Sequence, residues 1–277
     1  MKWTIGRALA SAVIGVIGLS GPAAAQEMWL GPTHGGSVAL EVSHVHFSEP
    51  DLGATQSSTS AVYFLTARIP VWTRTALVLE LPAANGSFSY SGDFGYESMS
   101  DFAIGNPYVG VEGGQRGGNW FGEFGVRLPI MSESKPASAL VGLSNDLDRV
   151  EAFMPDVAAV SAFLNGRSGG DTGFRVRLRV GPLVDIPTKS DMGHAELYGV
   201  YAFQVGAASK GVEIFAGLTG RMIVTEDVDN RLMDQFVASL HLNLGRVEPG
   251  VDIRVPLDNG RQDVVGSVFG LSLRMAF

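Results

Sequence analysis

The sequence predicts an all-β fold, a single transmembrane antiparallel up-and-down β-barrel of about 12 strands. Three observations lead there. Beyond residue 25, apolar and polar residues alternate with period two almost throughout, which is the strand signal. The connections between the alternating stretches run long, short, long, short along the chain. No segment beyond the N-terminal one reaches the ~18 consecutive apolar residues of a transmembrane helix.

The N-terminus predicts the compartment. Lys2 and Arg7 precede an apolar stretch from Ala8 to Leu19, and Pro22 with Ala23-Ala24-Ala25 supplies small residues for cleavage before Gln26. That pattern is a secretory signal peptide over residues 1–25, with the barrel over 26–277. The apolar run is too short to span a membrane comfortably as an anchor. Removal of Lys2 and Arg7 makes an acidic chain, net charge −8 and pI about 5.1, more acidic still. Nucleic acid is excluded as a partner on that charge. The absence of cysteine excludes disulfides, thiolate metal sites and a lipidated N-terminal Cys. Charged residues are only 17% of the chain, against about a quarter in soluble domains.

The expected strands are 37–47, 61–71, 75–82, 106–113, 120–130, 157–164, 173–186, 195–207, 211–224, 235–245, 247–257 and 264–277. In 120–130, Trp120, Phe124, Val126, Leu128 and Ile130 oppose Glu123 and Arg127. In 173–180, Phe174, Val176, Leu178 and Val180 oppose Arg175, Arg177 and Arg179. In 235–245, Phe236, Ala238, Leu240, Leu242 and Leu244 oppose Gln235, His241 and Asn243. In 247–257, Val251, Ile253, Val255 and Leu257 oppose Glu248, Asp252 and Arg254. Alternation alone suits a soluble sandwich as well as a membrane barrel. The sorted connections decide for the barrel: short turns at 72–74, 113–118, 165–170, 208–210 and 245–246 alternate with long segments such as 48–60, 83–105, 131–156 and 225–234. With an even strand number both ends of the barrel fall on the short-turn side.

Most prolines sit at strand ends, as at Pro70, Pro82, Pro129, Pro187 and Pro256. Pro182 and Pro249 lie inside or near strands and suggest bulges. Trp120 and Phe277 fit an aromatic girdle at the turn end, and Phe236 and Phe269 one at the loop end. Segment 83–105 carries Phe88, Tyr90, Phe94, Tyr96 and Phe102 among Ser, Gly and Asp, and reads as a loop, folded over the mouth or mobile. Segment 137–155 has mixed spacing and reads as a short helix in the third long loop, whether plug, rim cap or plain loop.

The final strand, VVGSVFGLSLRMAF, resembles the C-terminal assembly signal of Gram-negative outer-membrane β-barrels. Phe269, Leu271, Leu273, Met275 and the terminal Phe277 carry the match, with Gly266 and Gly270 on the other face. The resemblance implies insertion into the cell outer membrane by its assembly machinery, with outer-membrane lipid and lipopolysaccharide as surroundings. A narrower resemblance covers residues 60–130, where ELPAANG, AIGNPYVGVE and GEFGVRLPI are similar to transporter-type barrels, including those associated with aromatic-degradation pathways. It implies transport, with no catalytic motif attached.

The expected function is therefore an outer-membrane channel for passive passage of small solutes through a charge-lined lumen. Candidate residues on the solute path are Glu123, Arg127, Arg175, Arg177, Arg179, Glu196, Glu213, Arg221, Asp252 and Arg254. Three guanidiniums on one strand face repel unless acids or anions face them. They attract an anionic solute, or pair with carboxylates such as Glu123 or Glu196, which the chain favours by supplying them. Acidic segments 144–148 and 225–234 offer oxygen ligands for Ca²⁺, but they lack EF-hand spacing and read as solvated loops. No metal, cofactor or catalytic set is expected; His44 and His46 share a strand face with no third ligand, and nothing selects His44 with one of Ser57, Ser58 or Ser60 as a base–nucleophile pair. Two other roles remain: an outer-membrane hydrolase of the lipase or protease type, and a structural or adhesion barrel acting through 83–105 and 131–156.

Overall fold

A computed structural model describes residues 35–48, 54–56, 60–92, 95–114, 119–168, 172–189, 193–225 and 231–277. The expected signal peptide lies outside them. The strands are β1 (Ser37–Phe47), β2 (Ala54–Gln56), β3 (Ala61–Trp72), β4 (Thr75–Gly92), β5 (Gly95–Ile104), β6 (Tyr108–Gly114) and β7 (Trp120–Arg127), followed by β8 (Val157–Ser168), β9 (Gly173–Pro187), β10 (Glu196–Ala208), β11 (Val212–Ile223), β12 (Leu232–Leu242), β13 (Val247–Pro256) and β14 (Val265–Ala276). All pair antiparallel. Twelve of them close into a barrel, with β2 and β5 added above the wall on β4. The seam joins β1 to β14, from Ser37 opposite Ala276 to Phe47 opposite Val265, with one register shift between His46 and Phe47.

The pleat sends successive side chains to opposite faces. Outside stand Phe203, Ile214, Leu218, Phe269 and Leu271, between 44% and 63% exposed, with few charges among them. Inside stand the charged residues that share those strands, almost all buried. Trp120 and Phe277 lie outside at the turn end, and each covers a glycine. A Cβ on Gly166 would meet the Trp120 ring at 2.5 Å, and one on Gly36 would meet the Phe277 ring at 2.2 Å.

Segment 83–105 is not a loop. β4 is 18 residues long; its lower part, Thr75–Glu80, ladders with β6 and its upper part, from Ala83, with β5. β5 and β6 are two pieces of one path broken at Gly105-Asn106-Pro107. The period-two signal is present in Ala84, Gly86 and Phe88 against Asn85, Ser87 and Ser89, but serine and glycine give it a loop's composition. Phe88 turns inward against Phe47, ring centroids 5.6 Å apart, while Phe102 is 45% exposed outside.

Neither interior proline makes a bulge. Pro182 pairs in register with Gly199 of β10, and its missing donor instead interrupts the β8–β9 ladder, which skips from Ser161–Leu183 to Leu164–Val180 without a shift. Pro249 pairs in register with Leu273 and lies just past the last β12–β13 pair, His241–Gly250, where no donor is needed.

Between β7 and β8 the chain turns into the upper mouth as helix α1 (Pro136–Asn145) and a 3₁₀ segment (Leu147–Phe153). This settles segment 137–155 as a plug. Pro136 opens the helix, where its lack of an N–H costs nothing. Lys135 offers no side-chain cap. Asp101 of β5 supplies it instead: its carboxylate accepts from the Ala137 and Ser138 N–H groups at 3.2 and 2.8 Å and from the Ser138 hydroxyl at 2.5 Å. Gly86 lets the helix start lie against β4, since a Cβ there would stand 2.1 Å from the Ala137 carbonyl oxygen.

The part of the inner wall that faces α1 and the end of the 3₁₀ segment is largely apolar. Val45, Val62, Phe64, Ala84, Phe88 and Val268 pack with Ala137, Val141, Ala152 and Phe153 in one buried cluster. Each fully buried valine or phenylalanine side chain there is worth about 1.5–3 kcal/mol. The lumen is thus divided: apolar against α1, charged elsewhere.

Candidate functional site: the charged lumen

The inward face carries paired charges, and many pairs skip a strand. Arg68 of β3 reaches Glu112 of β6 at 2.5 Å, across β4. Arg127 of β7 reaches Glu80 of β4 at 2.7 Å, across β6. Arg179 of β9 pairs with Glu123 of β7, across β8. Arg175 and Arg177 of β9 converge on the two oxygens of Glu213 of β11, at 2.5 and 3.2 Å, across β10. Arg254 of β13 meets Glu41 of β1 at 2.5 Å, across β14. The intervening strand can offer a small residue at the crossing; Gly206 of β10 lies opposite both Arg175 and Phe215. Arg177 also stacks 3.3 Å from the centroid of Phe215, and Arg179 4.1 Å from that of Phe163.

The 3₁₀ segment joins this network from the plug side. Arg149 pairs with Glu41 at 2.6 Å, with Asp146 at 2.8 Å and with Glu80 at 3.5 Å, and lies 3.6 Å over the Phe64 ring. Glu151 pairs with Arg221 of β11, which also donates to the Leu147 carbonyl. Gln235 of β12 donates to Asp146 at 3.0 Å and accepts from the Leu147 N–H at 3.3 Å. Burial by itself would raise Asp146, but the Arg254 and Arg149 guanidiniums outweigh it and hold the carboxyl well below the usual aspartate range. Asn106, in the break between β5 and β6, ties the ends of the plug segment down. Its side chain donates to the carbonyls of Glu151 and Met154 at 2.8 and 2.7 Å and accepts from Ile130 and Met131 N–H at 2.8 Å each. At the surface, Lys189 bridges Glu133 and Asp156 at 3.0 and 2.7 Å. Between plug and wall lies a space of about 20 Å³ lined by Glu123, Arg127, Asp148, Glu151 and Arg179 among others.

All ten expected lumen residues therefore face inward. The three-arginine row is matched by carboxylates, with one change of partner: Glu123 takes Arg179, but Glu213, not Glu196, takes the other two. Glu196 accepts from the Tyr198 hydroxyl instead. Asp252 joins Arg254 at 3.1 Å. Segment 144–148 is not a solvated acidic loop; Asp146 is 4% exposed and ion-paired. Half of segment 225–234, and Ser57 and Ser58, lie outside the described residues. His44 Nδ1 lies 2.7 Å from the Ser60 carbonyl oxygen, while the Ser60 hydroxyl is buried against the Ser87 backbone, so these two form no base–nucleophile pair. Sequence reading missed Glu41, Arg149 and Glu151. Glu41 was findable by parity with Ser43; the plug residues were not, because nothing in 137–155 marks which wall strand they meet.

This architecture recurs among solved structures. An outer-membrane channel from Pseudomonas putida F1 aligns with a TM-score of 0.55 at 11% identity, over 92% of this chain and 100% of that one. The fold is that of an outer-membrane β-barrel. LpxR from Salmonella typhimurium aligns at 0.49 with 12% identity over 87% and 100% of the two chains. The translocator domain of the autotransporter NalP from Neisseria meningitidis aligns at 0.48 with 11% identity over 98% and 94%. No protein-family model and no curated protein matches the sequence.

Proposed function

We propose that the protein is an outer-membrane channel for passive passage of small solutes, with the α1–3₁₀ segment as the element that controls the upper mouth. One observation carries the reading. The barrel interior is built from charged and polar side chains outside the region that packs on α1, although an apolar filling would serve a purely structural barrel better. The P. putida channel, similar in fold, is consistent with it. Passage would follow the wall lined by Glu123, Arg127, Arg175, Arg177, Arg179, Glu196, Glu213, Arg221, Asp252 and Arg254. Because most of these charges neutralise one another in pairs, they shape the field across the lumen more than they attract one sign of ion. The hydrolase reading gains nothing from Ser60 and His44, whose side chains do not meet.

Planar-bilayer recording tests the proposal on the full chain and on a variant in which residues 136–153 are replaced by a short Gly-Ser linker. The expected result is conduction by both, several-fold larger in the variant. Folded, heat-modifiable protein that conducts in neither form overturns it.

A further inference from the structure

The short turns of the barrel carry charges that the lumen does not use. Arg74 follows β3, Lys210 lies between β10 and β11, and Arg246 lies between β12 and β13. All three are exposed, and none of their side chains has an ion-pair partner among the described residues. Arg167, half-buried near the end of β8, is a fourth cation at this end. Among the described residues the turn end has no exposed acidic side chain to balance them. Glu112, Glu213 and Glu248, on the adjoining strand ends, are buried in the lumen. The same turns hold Arg116 and Asp171, which lie outside the described residues, and the Phe277 carboxylate lies at this end too. Positive charge still predominates there.

Each cation lies beside an aromatic residue exposed at the same end. Trp72 stands two residues before Arg74. The Arg167 N–H donates to the Asn119 carbonyl at 2.8 Å, next to Trp120. Phe174 lies opposite Ala207, three residues before Lys210. The Ala276 N–H donates to the Arg246 carbonyl at 3.0 Å, next to Phe277. These four aromatic residues are between 50% and 75% exposed.

Exposed rings at the end of a membrane barrel mark the depth of the lipid interface. Cations a residue or two beyond them stand at the depth of the headgroups. Guanidinium and ammonium groups there attract phosphate, the guanidinium through two parallel hydrogen bonds, and an anionic lipid surface attracts basic residues. The placement of the cations narrows the partner further. They sit at the ends of β3, β8, β10 and β12, so they are spread around the barrel. A compact partner meets one or two of them; a lipid leaflet surrounds them all. We infer that the turn-end rim is a binding ring for anionic phospholipid, with headgroup phosphates held by Arg74, Arg167, Lys210 and Arg246 and acyl chains lying along the neighbouring rings. The ring does not depend on whether the barrel conducts. The loop end offers a contrast, because Lys189 there is already bridged to Glu133 and Asp156.

The test uses the full chain folded in phosphatidylcholine vesicles. Spin-labelled phosphatidylglycerol or spin-labelled phosphatidylcholine is added, and the motionally restricted fraction reads the share of each lipid in the shell around the barrel. Phosphatidylglycerol is expected to be favoured at least about twofold at low salt, and the preference to fall toward one as added salt screens it. Replacing Arg74, Lys210 and Arg246 together by Gln should remove most of the preference while migration stays heat-modifiable; Lys189→Gln should keep it. Equal restriction of the two lipids by the unaltered protein overturns the ring. So does a preference that survives the triple substitution, or one that Lys189→Gln also removes. If the triple variant does not fold, the salt series on the unaltered protein decides, and a preference untouched by salt overturns the ring. Co-sedimentation with purified peptidoglycan that the triple variant loses, with the two lipids restricted alike, overturns it in favour of an anionic polymer.

Discussion

Arg149 of the plug and Glu41 of the wall, 108 residues apart, close to 2.6 Å with side chains only 3% and 12% exposed. The pair fixes the plug at a point where the wall already holds a second cation, because Arg254 meets the same Glu41 oxygen. One carboxylate thus serves a wall-to-wall pair and a plug-to-wall pair.

Removing the plug's anchoring cation should loosen the plug without opening the seam. Arg149→Ala deprives three carboxylates of a cation and Phe64 of its stacked guanidinium, and breaking a buried pair this way costs about 3–5 kcal/mol. The expected outcome is faster protease cutting within 131–156 and more frequent channel opening, with unchanged heat-modifiable migration. Adding Glu41→Ala should give less than the sum of the two single effects, as for residues in one network.

The helix cap is a separate handle. Asp101→Ala leaves the α1 N-terminus without its acceptor, a loss of about 1 kcal/mol for a cap, and also removes the carboxylate to which the Ser138 hydroxyl donates. Hydrogen exchange of α1 amides should speed up, and exchange in β11–β14 should not.

Gly86→Ala should act more strongly than its size suggests. The added Cβ meets the Ala137 carbonyl oxygen at 2.1 Å, and backbone on both sides leaves nothing flexible to yield. The expected phenotype is a displaced plug on an intact barrel, read as raised conductance. Conductance like that of the unaltered protein would show that α1 does not need this close approach.

Acid should release the plug late. The folded value of Asp146 is depressed by Arg254 and Arg149. Its contribution is therefore complete above the unfolded aspartate value of about 3.9 and is lost only as pH falls below that toward the folded value. Conductance should stay flat from about pH 8 to about pH 5 and rise only in more acid solution. A rise centred near neutrality would point to another group.

How far the sequence carried depends on which rule each residue obeys. Where one face meets an apolar exterior and the other a polar lumen, alternation is legible, and parity alone places Arg175, Arg177 and Arg179 inward. Val45, Val62, Phe64 and Val268 also point inward but are apolar, because they face α1 and not water. A pattern that assumes a polar interior has no place for them. The choice of Glu213 over Glu196 was not legible either. It depends on the stagger between strands two apart, which puts Ala208 opposite both Gly173 and Glu213, and no spacing along one strand encodes that.

Phe277 and Gly36 exchange both backbone hydrogen bonds, at 2.9 and 3.1 Å, at the foot of the β1–β14 seam. The two strands that close the seam are thus the ones farthest apart along the chain among those described. Until they meet, the sheet has two raw edges, each a template for pairing with a stranger. A chain shortened at either strand keeps those edges permanently, so closure acts as a check on intactness: what cannot zip remains sticky, and is open to removal. Deleting Phe277 should accordingly lower the yield of inserted barrel well before it alters any property of the lumen. Assembly at the full yield by a chain ending at Ala276 would show that the seam tolerates an unfinished foot.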